Sequence, residues 1–389
     1  VPYYRETWSE SAVTGVREGQ DLYRLPVLEP AVVRDIPAAR LLTDGVEPDA
    51  CFPVRTSGSS GTPRTVYFSR ADMNVIRGRY VWDMIMVGFR PWDRLGYLRF
   101  APIRRHRLER FGLLRSFHVD STKPLPAQAR DLIAARPTVL VGFPNLTLSV
   151  VEELERQRAR SSGVRLVLFG GERTSPEARR YILDQLGARG CEMYACTEAN
   201  VIARSCRRGA LHLRTTDVVV EVEHDDGSVS VADGAGQIIV TPLQAKAMPI
   251  VRYRLGDRVE IGPDDCGCGR GRRPILHTVS GRVDDRVLDR SGRAVNAQQI
   301  VTAVEGVSGI SRLQLHQRIP GEIAIHAVIA AGSPNDVVEQ IEAAARPVSG
   351  QFEVTVRIVD DVEREASGKI RLVRRHEPSA SSRSGTAHA

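Results

Sequence analysis

At 389 residues, with 42% hydrophobic and 26% charged residues, the chain can bury more than one core and is too apolar in composition to be largely disordered. Lys and Arg exceed Asp and Glu by 54 − 47 = +7, aromatic residues are only 5%, and the arginines are scattered, which argues against a nucleic-acid binder and for an anionic small substrate or cofactor. No apolar run approaches the roughly 18 residues of a membrane span and the opening VPYYRETWSE lacks a signal pattern, so the expected location is cytoplasmic, without a membrane partner.

The opening stretch, to about Asp49, shows short helical patterns broken by Pro26 and Pro30, and is expected to pack along the outside of a domain. Arg55–Arg64 then reads RTSGSSGTPR. Its hydroxyls (Thr56, Ser57, Ser59, Ser60, Thr62) surround Gly58 and Gly61, and successive N–H groups in such a run can ring a phosphate. The spacing is not that of the NTPase P-loop, since no Gly-Lys-Ser/Thr follows, and a flexible Ser/Gly surface loop has the same composition. TVYFS leaves this loop as a strand, and Arg70–Val87 reads as an amphipathic helix beginning near Asp72.

LGYLRFAPI reads as a strand, followed by a basic run (Arg104, Arg105, His106, Arg107, Arg110, Arg115) that is either a solvated face or an anion contact. PTVLVGFP and VRLVLFGGE are short apolar runs, each preceded by a helical segment, as expected of buried parallel strands. Ser175–Leu186 reads as a helix with Ser175 as N-cap and Pro176 at its first position, and CEMYACTEAN as a further strand ending in polar residues. From His212 to Gly262 the texture is β, as a sheet or small barrel, with a DDGS turn. Beyond Gly281, strands and helices alternate as in a compact α+β domain, and the final EPSASSRSGTAHA is expected to be disordered.

Four stretches follow the Ser/Gly loop in order: YACTEA (Tyr194–Ala199), YRLGDR (Tyr253–Arg258), SGRVDD (Ser280–Asp285) and ASGKIR (Ala366–Arg371). Together with the loop they resemble the adenylate-forming superfamily of acyl-CoA synthetases, peptide-synthetase adenylation domains and luciferases, and within it the phenylacetate-CoA ligase-like branch. The resemblance covers almost the whole chain. It implies an α/β enzyme: residues 1–281 as a large ATP- and acyl-binding domain of α/β sheets with a β-barrel-like segment, 282–376 as a small mobile α+β lid, and 377–389 as a tail. It also implies roles. Residues Thr56–Pro63 would hold the β- and γ-phosphates of ATP, and Gly171 and Glu172 would approach the nucleotide. Tyr194 would stack on adenine, Thr197 would touch the α-phosphate and Glu198 would help bind Mg²⁺. Asp257 would take the ribose hydroxyls, Arg282 would reach ribose or phosphate, and Asp284 would be the hinge. Lys369 would bridge the attacking carboxylate and the α-phosphate. Phe143, Pro144, Phe169, Gly170, Ala199 and Asn200 would line the acyl pocket.

Such an enzyme joins two anions and expels pyrophosphate, so it needs positive charge and a divalent metal more than a base. The expected function is ATP-dependent activation of a small, aromatic carboxylic acid to an acyl-adenylate, followed by transfer to CoA. An amine or a carrier-protein thiol is the alternative acceptor, and a nucleotide-binding protein of the same fold is the non-enzymatic alternative. Separately, Cys206, His212, Cys266 and Cys268 offer three thiolates and an imidazole, a set that suits structural Zn²⁺. The competing reading is a core cysteine, a strand-capping histidine and a glycine-rich turn. Some members of the resembled branch carry a matching metal site. Ala195 stands where the family has glycine, a change tolerated if its φ is negative.

Overall fold

The computed structural model describes residues 1–56, 64–100, 102–103, 105–159, 163–172, 176–269, 271–282, 286–330, 333–350, 352–365 and 369–376. They form two compact units, Val1–Ser280 and a second beginning at Gly281. The described residues contain no helix long and apolar enough to cross a membrane.

The first unit opens with short helices, then a hairpin of β1 (Phe52–Arg55) and β2 (Thr65–Phe68). Next come β3 (Arg94–Arg99), β4 (Arg115–Asp120), β5 (Val139–Gly142), β6 (Leu166–Gly170) and β7 (Arg189–Cys196), all parallel, in the order β4-β3-β5-β6-β7. Helices Leu125–Ala135, Pro144–Arg156 and Pro176–Leu186 precede β5, β6 and β7. They bury Leu132, Leu146, Val150, Leu154 and Ile182 against the inward side chains Val167 and Phe169, the αβ layering that the apolar runs anticipate. Helix Arg70–Met86 starts two residues ahead of Asp72, because Ser69 accepts from the Asp72 amide while Asp72 accepts from that of Ser69.

The β-rich stretch extends this same sheet. Strands β8 (Asn200–Ser205), β9 (Leu211–Leu213), β10 (Val218–Glu223), β11 (Val229–Val231), β12 (Gly234–Pro242), β13 (Tyr253–Gly262) and β14 (Ile275–Arg282) continue it beyond β7 in the order β8-β9-β14-β13-β12-β10-β11. The DDGS turn leads into β11, which pairs with β10 before the chain returns as β12 on the opposite edge of β10. The N-terminal stretch packs on the start of β13: Leu28 exchanges backbone hydrogen bonds with Arg252 and Arg254, and Tyr4 Oη donates to the Pro249 carbonyl.

The second unit holds the hairpin β15 (Arg286–Leu288) and β16 (Ala294–Asn296), then a sheet of β17 (Ile310–Gln317), β18 (Glu322–Ile329), β19 (Glu353–Ile358) and β20 (Val373–Arg375) in the order β19-β18-β17-β20. Helices Gln298–Glu305 and Val337–Ser349 cover it, burying Ile300, Val301, Val304, Ile341 and Ala345 against Leu313, Leu315 and Ile325. The α+β texture beyond Gly281 is what the structure contains.

An ion pair inside the first unit fixes the entry to β13. Arg252 Nε lies 3.0 Å from Glu221 Oε2, both nearly inaccessible, and its guanidinium also donates to the carbonyls of Tyr23 and Leu25. Burial pushes the Glu221 carboxyl up, and Arg252 offsets part of that. Removing one partner leaves a buried charge uncompensated. Arg252→Met is therefore expected to cost about 3–5 kcal/mol in urea unfolding, while the double variant Arg252→Met, Glu221→Met recovers most of it.

Candidate functional site

The C-terminal ends of β6 and β7 lie where the parallel part of the sheet gives way to its antiparallel extension, the position at which open α/β sheets bind ligands. Gly171 follows β6 at φ 80°, and Asn145 Nδ2 donates to Glu172 Oε2 at 3.2 Å. The stretch read as YACTEA forms the end of β7 and the turn into β8. Ala195 keeps a negative φ within β7, so the missing glycine costs the backbone nothing. The Cys196 thiol accepts from the Ala199 amide at 3.2 Å, folding the turn back on the strand, and burial together with the nearby Glu198 charge holds that thiol protonated.

Asp257 reaches this point through a bulge. Gln237 pairs with Arg258 and Ile239 with Arg254, so Leu255, Gly256 and Asp257 all oppose the single residue Ile238. Gly256 sits at φ 86° with nothing within 4 Å of where a Cβ would stand; the glycine in YRLGDR is needed for its conformation rather than for space. The bulge re-aims Asp257, whose Oδ2 accepts from Tyr194 Oη at 2.6 Å.

A second chain of hydrogen bonds runs beside the first. Arg64 Nη1 donates to Tyr253 Oη at 2.7 Å, and Tyr253 Oη donates to Glu198 Oε1 at 2.8 Å. Tyr253 is fully buried and Glu198 nearly so. Burial, with the Glu198 charge behind it, pushes the phenol far above its ordinary value, so it acts as a donor. Arg64 is anchored at the same time to the neck of the Ser/Gly loop: its amide donates to Thr56 Oγ1 at 2.9 Å and its carbonyl accepts from the Thr56 amide at 2.8 Å. Residues 57–63, and with them Ser57, Gly58, Ser59, Ser60, Gly61 and Thr62, lie outside the described residues, as does Asp284; Arg282 is described only as backbone at the end of β14.

The structure thus brings Thr56, Arg64, Tyr194, Glu198 and Asp257 into one neighbourhood and adds Tyr253, to which the sequence reading gave no role. Tyr253 stands four residues before Asp257 in YRLGDR, but the bulge between them breaks the strand's alternation, so no local signal marked it. Phe169 is buried in the core beneath the helices with Phe143 packed against it, and Pro144 is buried at the start of its own helix. Ala199 and Asn200, in contrast, line a small cavity of about 70 Å³ with Ile76, Tyr80, Pro242 and Ala245 and the charged side chains of Arg79, Asp83, Arg214 and Asp217, whose wall does not include Phe143, Pro144, Phe169 or Gly170. Asn200 stands at φ 59° at the start of β8. In the second unit, Lys369 pairs with the strand stem before it: its carbonyl accepts from the Glu365 amide at 2.8 Å, and Arg364 bridges Ile370.

Cys206 follows β8, His212 lies in β9, and Cys266 and Cys268 lie between β13 and β14; β14 then pairs with β9 at Ile275 and His212, which closes the group. The four ligand atoms lie within 4.8 Å of one another. Around a tetrahedral zinc, two thiolates stand about 3.8 Å apart and a thiolate and an imidazole nitrogen about 3.5 Å. The distances here are 3.8 Å for Cys206 Sγ to Cys266 Sγ, and 3.2 Å and 3.5 Å from His212 Nε2 to Cys266 and Cys268. Gly267 and Gly269, both at positive φ, bend the short loop that presents the two thiols, and the Arg208 amide donates to Cys206 Sγ. The donor set fits a closed four-coordinate metal.

Among known proteins, residues 25–240 match the AMP-binding enzyme family and residues 287–376 match the CapK C-terminal domain. The chain is similar to the phenylacetate-coenzyme A ligase of Escherichia coli strain K12, at 25% identity over 82% of this chain and 75% of that protein. It is also similar to the phenylacetate-coenzyme A ligase of Thermus thermophilus, at 24% identity over 96% and 92%. Among solved structures its fold is similar to that of 2-hydroxyisobutyryl-CoA ligase in the postadenylation state, with a TM-score of 0.78 at 19% identity over 96% of this chain and 85% of that one.

The four-ligand geometry has a direct consequence. Freshly purified protein is expected to carry about one zinc per chain, and Cys266→Ser to lose it together with thermal stability. Elemental analysis with thermal melts checks this; metal-free protein of unchanged stability would count against a structural site.

Proposed function

Because the chain belongs to the family of AMP-binding enzymes, we propose that it uses ATP to convert a small carboxylic acid to an acyl-adenylate and then passes the acyl group to the thiol of CoA. The observation that carries this reading is the paired chain Tyr194–Asp257 and Arg64–Tyr253–Glu198 at the neck of the Ser/Gly loop. The similarity to phenylacetate-coenzyme A ligases supports CoA as the acceptor and an aromatic acid as the substrate class.

Each residue has a task in this chemistry. Asp257, aimed by its bulge and already accepting one phenol proton, is an acceptor for ribose hydroxyls, with the Tyr194 ring beside it as a flat surface for adenine. Glu198 is a buried carboxylate that needs cationic compensation; Arg64, acting through the Tyr253 phenol, supplies part of it. Glu198 would hold Mg²⁺, which when bound neutralises phosphate charge during the displacement. Thr197, in the turn between β7 and β8, stands within one residue of that carboxylate and would donate to the α-phosphate. Lys369 would add positive charge where the carboxylate oxygen meets the α-phosphorus, and pyrophosphate leaves toward the Ser/Gly loop. Asp284 would be the hinge and Arg282 a ribose or phosphate contact. Ala199 and Asn200, which follow Glu198 at the turn into β8, would contact the acyl group. Zinc at Cys206, His212, Cys266 and Cys268 would have no open coordination position and serves the fold.

Pyrophosphate release with a panel of aryl and short-chain acids, with and without CoA, tests the reading. An aryl acid is expected to release pyrophosphate, with thioester formed when CoA is present. No acid-dependent pyrophosphate from any acid, or turnover that requires an amine or a carrier-protein thiol in place of CoA, would contradict it. Lys369→Ala is expected to lower the first half-reaction by about 10²–10³ with ATP binding retained. Tyr253→Phe keeps the buried ring but cuts the link between Arg64 and Glu198, and is expected to lower the same rate by about tenfold and to raise the Mg²⁺ concentration required.

A further inference from the structure

Strand β17 lies inside the sheet of the second unit and carries three buried polar side chains, Arg312, Gln314 and His316, on one face. A buried amide is costly unless its hydrogen-bonding capacity is met, and Gln314 meets its own by an unusual route. Its Nε2 donates to the carbonyls of Glu363, at 3.0 Å, and Arg371, at 2.7 Å. Its Oε1 accepts from the Glu363 amide at 3.0 Å and pairs with His316 Nε2 at 2.9 Å. Glu363 and Arg371 are the two stems of the turn that carries Lys369, joined further up by the bridge between Arg364 and Ile370. One side chain therefore fastens both stems of that turn to the sheet.

The histidine fixes the amide. Because both amide hydrogens of Gln314 point at carbonyls, Oε1 must face His316, and His316 must carry its proton on Nε2 to donate to it. That leaves His316 Nδ1 as an acceptor, which takes the Nε2 proton of His376 at 2.9 Å. The ring is held flat against His326 on β18, with centroids 4.0 Å apart. Burial, with the neighbouring imidazole of His326, pulls His316 down to about 4, so this tautomer persists at neutral pH. A polar chain thus runs from His376 through His316 and Gln314 to the Lys369 turn, beside a face of the same strand that buries Leu313 and Leu315.

We propose that Gln314, oriented by His316, is the positioning residue that sets where the Lys369 turn stands, and that it acts in the adenylation step. The inference rests on the reading of Lys369 given above. A lysine ammonium on four methylenes is a mobile point charge, so its effect on a transition state depends on where its backbone is held. Loss of the clamp leaves Lys369 in place chemically but lets its turn move.

The test separates the two half-reactions: acid-dependent pyrophosphate release from ATP, and thioester formation from supplied acyl-adenylate and CoA. Gln314→Met keeps the volume and removes all four hydrogen bonds. It is expected to lower kcat for pyrophosphate release about tenfold or more with KM for ATP little changed, while thioester formation from supplied adenylate stays near the unmodified rate. His316→Phe keeps a flat ring against His326 and is expected to give the same split to a smaller degree; if Gln314→Met does not fold, this variant carries the test. Parallel loss of both half-reactions would reduce the clamp to a purely structural role and overturn the proposal. So would no loss of pyrophosphate release in either variant when Lys369→Ala abolishes it. If Lys369→Ala itself leaves pyrophosphate release intact, the reading of Lys369 fails, and the proposal fails with it.

Discussion

The fully buried phenol of Tyr253 is the interaction on which the nucleotide end of the site depends. It accepts from Arg64 at the neck of the Ser/Gly loop and donates to Glu198 in the turn after β7, joining stretches that lie 189 and 55 residues away in sequence. A carboxylate at the depth of Glu198 is tolerated only with compensation, and the phenol is the conduit through which a guanidinium supplies it. The packing of the N-terminal stretch serves the same end. Leu28 pairs with the β13 entry at Tyr253, and Arg252, one residue earlier, is locked by its ion pair with Glu221. The outer segment, the buried charge pair and the phenol act as one anchor for β13.

From that anchor the strand must deliver Asp257 to the same neighbourhood, and regular pairing would not do so. Three residues opposite one, with Gly256 at positive φ, redirect the carboxylate toward Tyr194. At the far end of the same antiparallel extension, the Cys206, His212, Cys266 and Cys268 group ties β8, β9 and the loop from β13 to β14 together. A metal held there would brace β8 and β13, the strands that flank the nucleotide site, at their other ends. The bulge and the thiol cluster are two solutions to the same problem, which is to hold an extended sheet rigid around a site at its middle.

Much of this was legible in the sequence, for reasons that differ by element. The apolar runs at Val139–Gly142 and Leu166–Gly170 and the helix Arg70–Met86 were readable because burial on both faces and helical periodicity leave local signals. The candidate site residues were approached through their order along the chain, and Tyr194, Glu198 and Asp257 do meet in space. Tyr253 was not given a role, because a tyrosine–carboxylate contact across 55 residues has no local signature. Phe143 and Phe169 were placed in the pocket by the resemblance alone, and Phe169 packs under the helices: strand ends and core share a composition, and only the side-chain direction separates them. The pairing of β9 with β14 and the return of β12 to β10 rest on contacts remote in sequence, so a β-rich texture was visible where the order of strands was not.

The central claim is chemical: a carboxylate oxygen attacks the α-phosphorus of ATP. Supplying the acid with ¹⁸O in its carboxylate and analysing the released nucleotide by mass spectrometry tests it most directly. The expected result, with CoA present, is AMP carrying one oxygen derived from the acid, because the thiol opens the anhydride at the acyl carbon. Unlabelled AMP, or ADP with inorganic phosphate as the products, would contradict it.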